Sequence, residues 1–253
     1  MYQKITAIIP AFNEEKNIGR VIDVLEKTQS IGLISEIIVV NDGSKDKTEM
    51  IARNKHVKLI NLQENKGKAY AMAEGLKEAK GEFCLFIDGD LVNLKSTHII
   101  NLIKPLLINQ EIMTVAKLVN GRLSTDIAQS LNTKCSGQRA AKKEIFIKIF
   151  KTIKNIGKVK YGIENIITDR SKNFKIGIYF VEWDGVSQSL KEEKWGLITG
   201  FVRRIRMYIS MNLGHLRNIF YNLSKKISLQ KRPLIRRPLF LSFSRLLLWS
   251  LIF

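Results

Sequence analysis

The order of apolar runs and helical repeats over the first 118 residues predicts an α/β fold, a mostly parallel sheet flanked by helices. Three observations carry that expectation. The strand-like segments are continuous apolar runs, as in Glu36-Ile37-Ile38-Val39-Val40, the pattern of strands covered on both faces. The segments between them repeat apolar residues at helical spacing, as Ile18, Val21, Ile22 and Leu25 do. Polar clusters follow the strands at 11–15, 41–44, 65–68 and 88–90, and such sheets bind ligands outside the carboxyl ends of their strands.

Taken in order, residues 5–9 form a short strand ended by Pro10, and 15–28 form an amphipathic helix. The β-branched strand 36–40 stops at Asn41-Asp42-Gly43-Ser44, a turn signal. A helix over 46–53, a strand over 57–61 and an Ala-rich helix over 67–79 follow. The apolar strand 83–87 empties into Asp88-Gly89-Asp90, and helix 96–107 and strand 113–118 complete this half. Beyond it the alternation weakens: a polar loop over 120–134, helices over 139–150 and 161–169, and a strand over 174–181.

Residues 197–223 repeat apolar side chains at three and four, from Ile198 to Leu223, while Arg203, Arg204, Arg206 and Arg217 occupy other faces. The stretch 238–253 is apolar, broken by Arg245 and shorter than the roughly 20 residues of a spanning helix, so it fits an interfacial helix. An α/β domain over 1–196, subdivided at 118, and a basic membrane-associating segment over 197–253 are therefore expected.

Charge is distributed unevenly. Residues 1–100 carry 14 basic and 14 acidic side chains, whereas 101–253 carry 28 and 9, the source of the net +19. Residues 201–253 hold 11 basic side chains and no acidic one. This excess points to a polyanionic partner: membrane phospholipid, a lipid phosphate or nucleic acid. Apolar content of 45% argues against disorder. Two cysteines, Cys84 and Cys135, lack metal-ligand spacing and fit a reducing compartment without a disulfide. No signal-peptide pattern opens the chain. His56, His98 and His215 are scattered and form no metal cluster.

Two carboxylates one residue apart at a strand's end, Asp88 and Asp90, can hold a hard divalent cation that in turn holds a diphosphate. Alone the triplet equally reads as a common turn. Lys68 opens a helix at Gly67, where backbone N–H groups and the positive helix end favour phosphate.

Ile8-Ile9-Pro10-Ala11-Phe12-Asn13-Glu14-Glu15, Val39-Val40-Asn41-Asp42-Gly43-Ser44, Asn65-Lys66-Gly67-Lys68 with Ala71, Gly75 and Ala79, and Asp88-Gly89-Asp90 together resemble the motifs of family 2 glycosyltransferases with the GT-A fold. The resemblance covers residues 4–92 closely. It continues more weakly through Ser136-Gly137-Gln138-Arg139-Ala140, Tyr161-Gly162-Ile163-Glu164 and Lys191-Glu192-Glu193-Lys194, which look like small bacterial members akin to polyprenyl- and dolichyl-phosphate sugar transferases.

This resemblance implies a UDP- or GDP-sugar donor and a Mg²⁺ or Mn²⁺ cofactor on Asp88 and Asp90. Pro10 and Phe12 then contact the base, and Glu14 accepts from ribose hydroxyls. Asp42 accepts a uracil imide hydrogen, as its counterpart does in the family, or else closes an Asx-turn. Many members have Asp where this chain has Asn41. An inverting transfer to a hydroxyl needs a base. Glu164 stands nearest the family's acidic pair but lacks an acidic neighbour, and capping or ion pairing is an alternative role. A lipid-phosphate acceptor is already an anion and needs no strong base. Arg139, Lys191 and Lys194 would then hold phosphate, unless the lysines are ordinary surface charge.

The resulting expectation is a glycosyltransferase peripheral on the cytoplasmic face of the membrane, serving the cell envelope with a lipid-phosphate or glycan acceptor. Two other readings compete. A sugar-phosphate nucleotidyltransferase would carry a Gly-rich basic loop where Ala11-Phe12-Asn13-Glu14-Glu15 stands. A basic nucleic-acid-binding protein would carry aromatics interleaved with base-reading residues in its C-terminal half, which has no such motif, so no nucleic-acid partner is expected.

Overall fold

Seven strands share one sheet in the computed structural model, which describes residues 4–120, 136–159 and 162–189. The strands are β1 (Ile5–Ala11), β2 (Glu36–Asn41), β3 (Lys58–Asn61), β4 (Phe83–Phe86), β6 (Ile112–Val119), β7 (Arg139–Lys142) and β8 (Gly177–Asp184), in the order β3-β2-β1-β4-β7-β6-β8. All neighbours pair in parallel except β7, which runs antiparallel between β4 and β6. A two-stranded antiparallel ribbon joins β5 (Leu91–Val92) to β9 (Ser187–Gln188). The helices are α1 (Ile18–Ser30), α2 (Thr48–Arg53), α3 (Lys68–Glu78), α4 (Ser96–Ile108), α5 (Lys143–Phe150) and α6 (Ile163–Asn173).

Continuous apolar strands arise because both sheet faces are covered. Ile37 and Val39 of β2, with Ile9 and Leu85, pack into one core beneath α1 and α4. Their neighbours Ile38 and Val40, with Ile8, Cys84 and Phe86, pack into a second core beneath α3, α5 and α6. Strand alternation sends successive side chains to opposite faces, so both sets must be apolar. Helix α3 lies so close to β1 that a Cβ on Gly75 would stand 2.4 Å from Ile8 Cγ2. That approach brings the start of α3 over the sheet's carboxyl edge.

Three differences from expectation have a clear physical reason. Strand β1 continues through Pro10 to Ala11, pairing with Val40 and Asn41. The carbonyls of Ile5 and Ala11 face β2 and those of Lys4 and Ile8 face β4. By alternation Pro10 faces the β4 side, where β4 has already ended, so its missing N–H breaks no ladder. Residues 139–142, expected as helix, are strand β7, and α5 begins at Lys143. Small Ala140 and Ala141 fit between β4 and β6, and this packing overrides their helix propensity. The strand expected at 174–181 starts at Gly177, because Phe174 caps α6 and Lys175 turns the chain at φ 57°. The segment 197–253, Cys135, Lys191, Lys194 and nearly all of the loop 120–134 lie outside the described residues.

Candidate active site

Parallel strands β1, β2 and β4 end on one edge, so the loops after them meet there. The first two are stitched together. The Asn13 N–H donates to Ser44 Oγ at 2.9 Å, the Lys45 N–H to Asn13 Oδ1 at 2.7 Å, and the Glu14 N–H to Thr48 Oγ1 at 2.7 Å. Pro10 is buried, while Phe12 and Glu14 are half-buried at the rim. A Cβ on Gly89 would stand 3.4 Å from Glu14 Cγ, so the Glu14 side chain lies against the Asp88-Gly89-Asp90 turn. Asn41 turns inward: its amide donates to Asn61 Oδ1 at 3.0 Å and its oxygen accepts the Ser44 N–H at 3.2 Å. An aspartate there could not donate to Asn61, which accounts for Asn at this position.

Asp42 is buried, and both carboxylate oxygens are engaged at the entrance to α3. Oδ1 accepts the Lys66 N–H at 2.7 Å and Oδ2 the Gly67 N–H at 2.9 Å. Burial raises its pKa, the two N–H groups pull it down, and the balance lies above the usual carboxylate value. Asp42 thus fixes the turn that delivers Lys68.

Asp88 is the centre of the site. Its Oδ1 lies 2.5 Å from Lys68 Nζ, and its Oδ2 accepts from Gln138 Nε2 at 2.8 Å and Gln188 Nε2 at 2.9 Å. Antiparallel pairing explains the arrangement: Phe86 opposes Arg139, so residues 136–138 run back beside Ile87 and Asp88. The Ser136 hydroxyl donates to Gln138 Oε1 at 2.8 Å, which turns the amide's N–H₂ toward Asp88. Gln188 reaches the same point from β9, because it opposes Leu91, directly after Asp90. Its Nε2 is 3.5 Å from Asp90 Oδ1, and the Ser189 N–H donates to the Asp90 carbonyl at 3.0 Å.

Lys68 Nζ also bonds Glu164 Oε1 at 2.6 Å, linking α3 to the first turn of α6. Burial pushes the ammonium's pKa down, but Asp88 and Glu164 outweigh it and hold Lys68 well above its ordinary value. Burial likewise pushes Glu164 up, and the Lys68 charge, its hydrogen bond and Arg139 more than reverse this, so Glu164 titrates below a normal glutamate. Arg139 is fully buried. Its guanidinium donates to the main-chain carbonyls of Glu164, at 3.3 Å, and Ser136. The phosphate-binding role expected of Arg139 is thus corrected: it ties the 136–138 turn to α6 from inside the core.

Lys68, Asp88, Glu164 and Arg139 therefore form one cluster, Asp90 joins it through Gln188, and Asp42 holds the loop that bears Lys68. Gln138, Gln188 and Ser136 were not expected. Within 136–140 the arginine is the conspicuous residue for phosphate chemistry, and a lone Gln188 at a two-residue strand carries no sequence signal.

Among the described residues, no three His, Cys, Asp or Glu side chains stand together as a ready ligand set. Asp88 and Asp90 nevertheless converge on one nitrogen, Gln188 Nε2. A hard divalent ion needs only one or two carboxylates when phosphate oxygens complete its shell, and these two fit it.

The profile described as Glycosyl transferase family 2 matches residues 6–169. The chain is 41% identical over 96 residues to a dolichyl-phosphate beta-glucosyltransferase of Trichomonas vaginalis, over 34% of this chain and 28% of that protein. It is 32% identical over 118 residues to the glucosyl-3-phosphoglycerate synthase of Mycobacterium tuberculosis, over 44% of this chain and 36% of that one. The matched stretch is between 28% and 39% of the curated relatives' own length. The crystal structure of that synthase with Mn²⁺ and UDP-glucose superposes with a TM-score of 0.64 at 22% identity, covering 84% of this chain and 78% of the synthase, a likeness of fold.

Proposed function

The chain belongs to glycosyl transferase family 2, and on that premise we propose that it moves a sugar from a UDP- or GDP-sugar to a lipid-phosphate or membrane-proximal acceptor with the help of Mg²⁺ or Mn²⁺. The observation that carries this reading is the convergence of Asp88 and Asp90 on one point beside the Lys68 ammonium and the entrance to α3. The names of the relatives support it: one transfers glucose to dolichyl phosphate, and another is solved with Mn²⁺ and UDP-glucose.

Each residue has a part in this reading. Pro10 and Phe12 flank the nucleobase and Glu14 accepts from the ribose. Asp42 keeps a lone pair on each oxygen for an imide N–H after bonding the backbone. Asp88 and Asp90 hold the cation, which when bound offsets charge developing on the departing diphosphate. Lys68 and the N-terminus of α3 face the phosphates. We give Glu164 a positioning role, because its carboxylate is already bonded to Lys68. An anionic phosphate acceptor then needs no proton taken from it. The basic segment 201–253 draws the enzyme to an anionic membrane surface, which under this reading is the cytoplasmic one.

Incubation with radiolabelled UDP- and GDP-hexoses, Mn²⁺ and either polyprenyl phosphate or a soluble glycan tests the proposal. Label entering the lipid phase in the presence of Mn²⁺, and not with EDTA, is expected. Transfer to the soluble glycan alone would exclude the lipid acceptor, and turnover of no sugar nucleotide would exclude the donor assignment.

A further inference from the structure

Lys68, Asp88 and Glu164 come from three separate elements and meet at one ammonium, 2.5 Å from Asp88 Oδ1 and 2.6 Å from Glu164 Oε1. Both carboxylates are buried, with side chains 9% and 10% exposed. A buried carboxylate needs a counter-charge at all times, since an unpaired ion in the interior carries a large desolvation penalty. Lys68 supplies it. A divalent ion held by Asp88 would stand within a few ångströms of this ammonium, and two cations that close in a buried site repel each other strongly. A second hydrogen bond of the ammonium is made to Glu164 Oε1, while the two glutamine donors take Asp88's other oxygen, Oδ2.

We propose that Lys68 is a resident cation that a divalent ion must displace from Asp88, and that Glu164 is the anchor that retains Lys68 once it is displaced. The inference rests on the proposed metal-dependent reading of this site. Metal affinity then depends on the fraction of molecules in which Lys68 has left Asp88. A diphosphate that draws the ammonium toward itself raises that fraction, and the metal raises diphosphate affinity by the same factor. Glu164 acts through Lys68 and touches neither donor nor metal.

The test is Mn²⁺ binding alone, without nucleotide, followed by electron paramagnetic resonance on the full chain. Glu164→Gln removes the anchor, leaves Lys68 wholly to Asp88, and should weaken Mn²⁺ binding about fivefold or more. Lys68→Met combined with Glu164→Gln removes one positive and one negative charge, so the net charge of the site is unchanged. It should tighten Mn²⁺ binding by about fivefold or more. A purely structural role would move both variants the same way. A double variant that binds Mn²⁺ no tighter than wild type overturns the inference, as does a Glu164→Gln protein that binds it equally well or better. Should the double variant not fold, Lys68→Gln with Glu164→Gln repeats the charge-balanced comparison. Sugar-nucleotide turnover by the wild type reads the proposed function separately: an active wild type with unaltered Mn²⁺ binding in both variants loses only this inference.

Discussion

Gly137→Ala probes the site without removing a charge or a hydrogen-bonding group. A Cβ at this position would stand 2.3 Å from Asp88 Oδ2, 2.6 Å from Oδ1 and 2.7 Å from Cγ. Ordinary contact begins at 3.4 Å, so the carboxylate must retreat by about 1 Å. The retreat stretches its bonds to Gln138 and Gln188 and its ion pair with Lys68 together. Overpacking of this kind costs about 1–3 kcal/mol, and each kcal/mol lowers the melting temperature of a domain this size by about 2–4 °C. A misplacement of about 1 Å at a reacting centre costs on the order of 10²-fold in rate. Scanning fluorimetry and metal-dependent sugar-nucleotide turnover read the two effects. A Gly137→Ala enzyme with wild-type turnover and an unchanged melt would refute the reasoning that places Asp88 at the centre.

Further outcomes follow from other parts of the structure. Asp42→Ala strips both acceptors from the Lys66 and Gly67 N–H groups and should cost about 1–2 kcal/mol in urea unfolding, along with most UDP affinity; full stability would contradict the capping role. Burial pushes the Cys84 thiol up to about 12, with Lys143 lowering it and Glu36 raising it. At pH 9 the folded protein should hold roughly one thiolate in a thousand there, so iodoacetamide should leave Cys84 unmodified by mass spectrometry until denaturant is added. The unfolded thiol ionises near 9.0, so stability from this group is lost as pH rises from 9 toward 12. Deleting residues 224–253 should release the protein from anionic vesicles in co-sedimentation, and unchanged binding would rule out a membrane role for that stretch.

Much of the fold was legible because both faces of the sheet are covered. Burial of Ile37 and Val39 on one side, and of Ile38 and Val40 on the other, leaves an unbroken apolar run that is readable from one chain. The runs of β2, β3 and β4 are also followed by the polar residues that line the edge, so Asp42, Lys68, Asp88 and Asp90 stood out. Strand β7 was not legible, since Arg139-Ala140-Ala141-Lys142 has helix-forming residues and becomes strand only because two neighbours accept it. The roles of Gln138 and Gln188 depend on pairings across 50 and 100 residues that local pattern does not encode. Arg139 misled for a physical reason: a guanidinium suits phosphate in general, yet here it serves buried carbonyls.

Titration of UDP into the wild type and Asp90→Ala, each with Mn²⁺ or with EDTA, measures most directly whether the paired carboxylates hold a nucleotide through a cation. The account predicts that wild-type UDP affinity falls about tenfold or more in EDTA and that Asp90→Ala binds UDP equally weakly in both buffers with an unchanged melt. UDP binding by the wild type that is indifferent to the metal, or a fully metal-responsive Asp90→Ala, would contradict it.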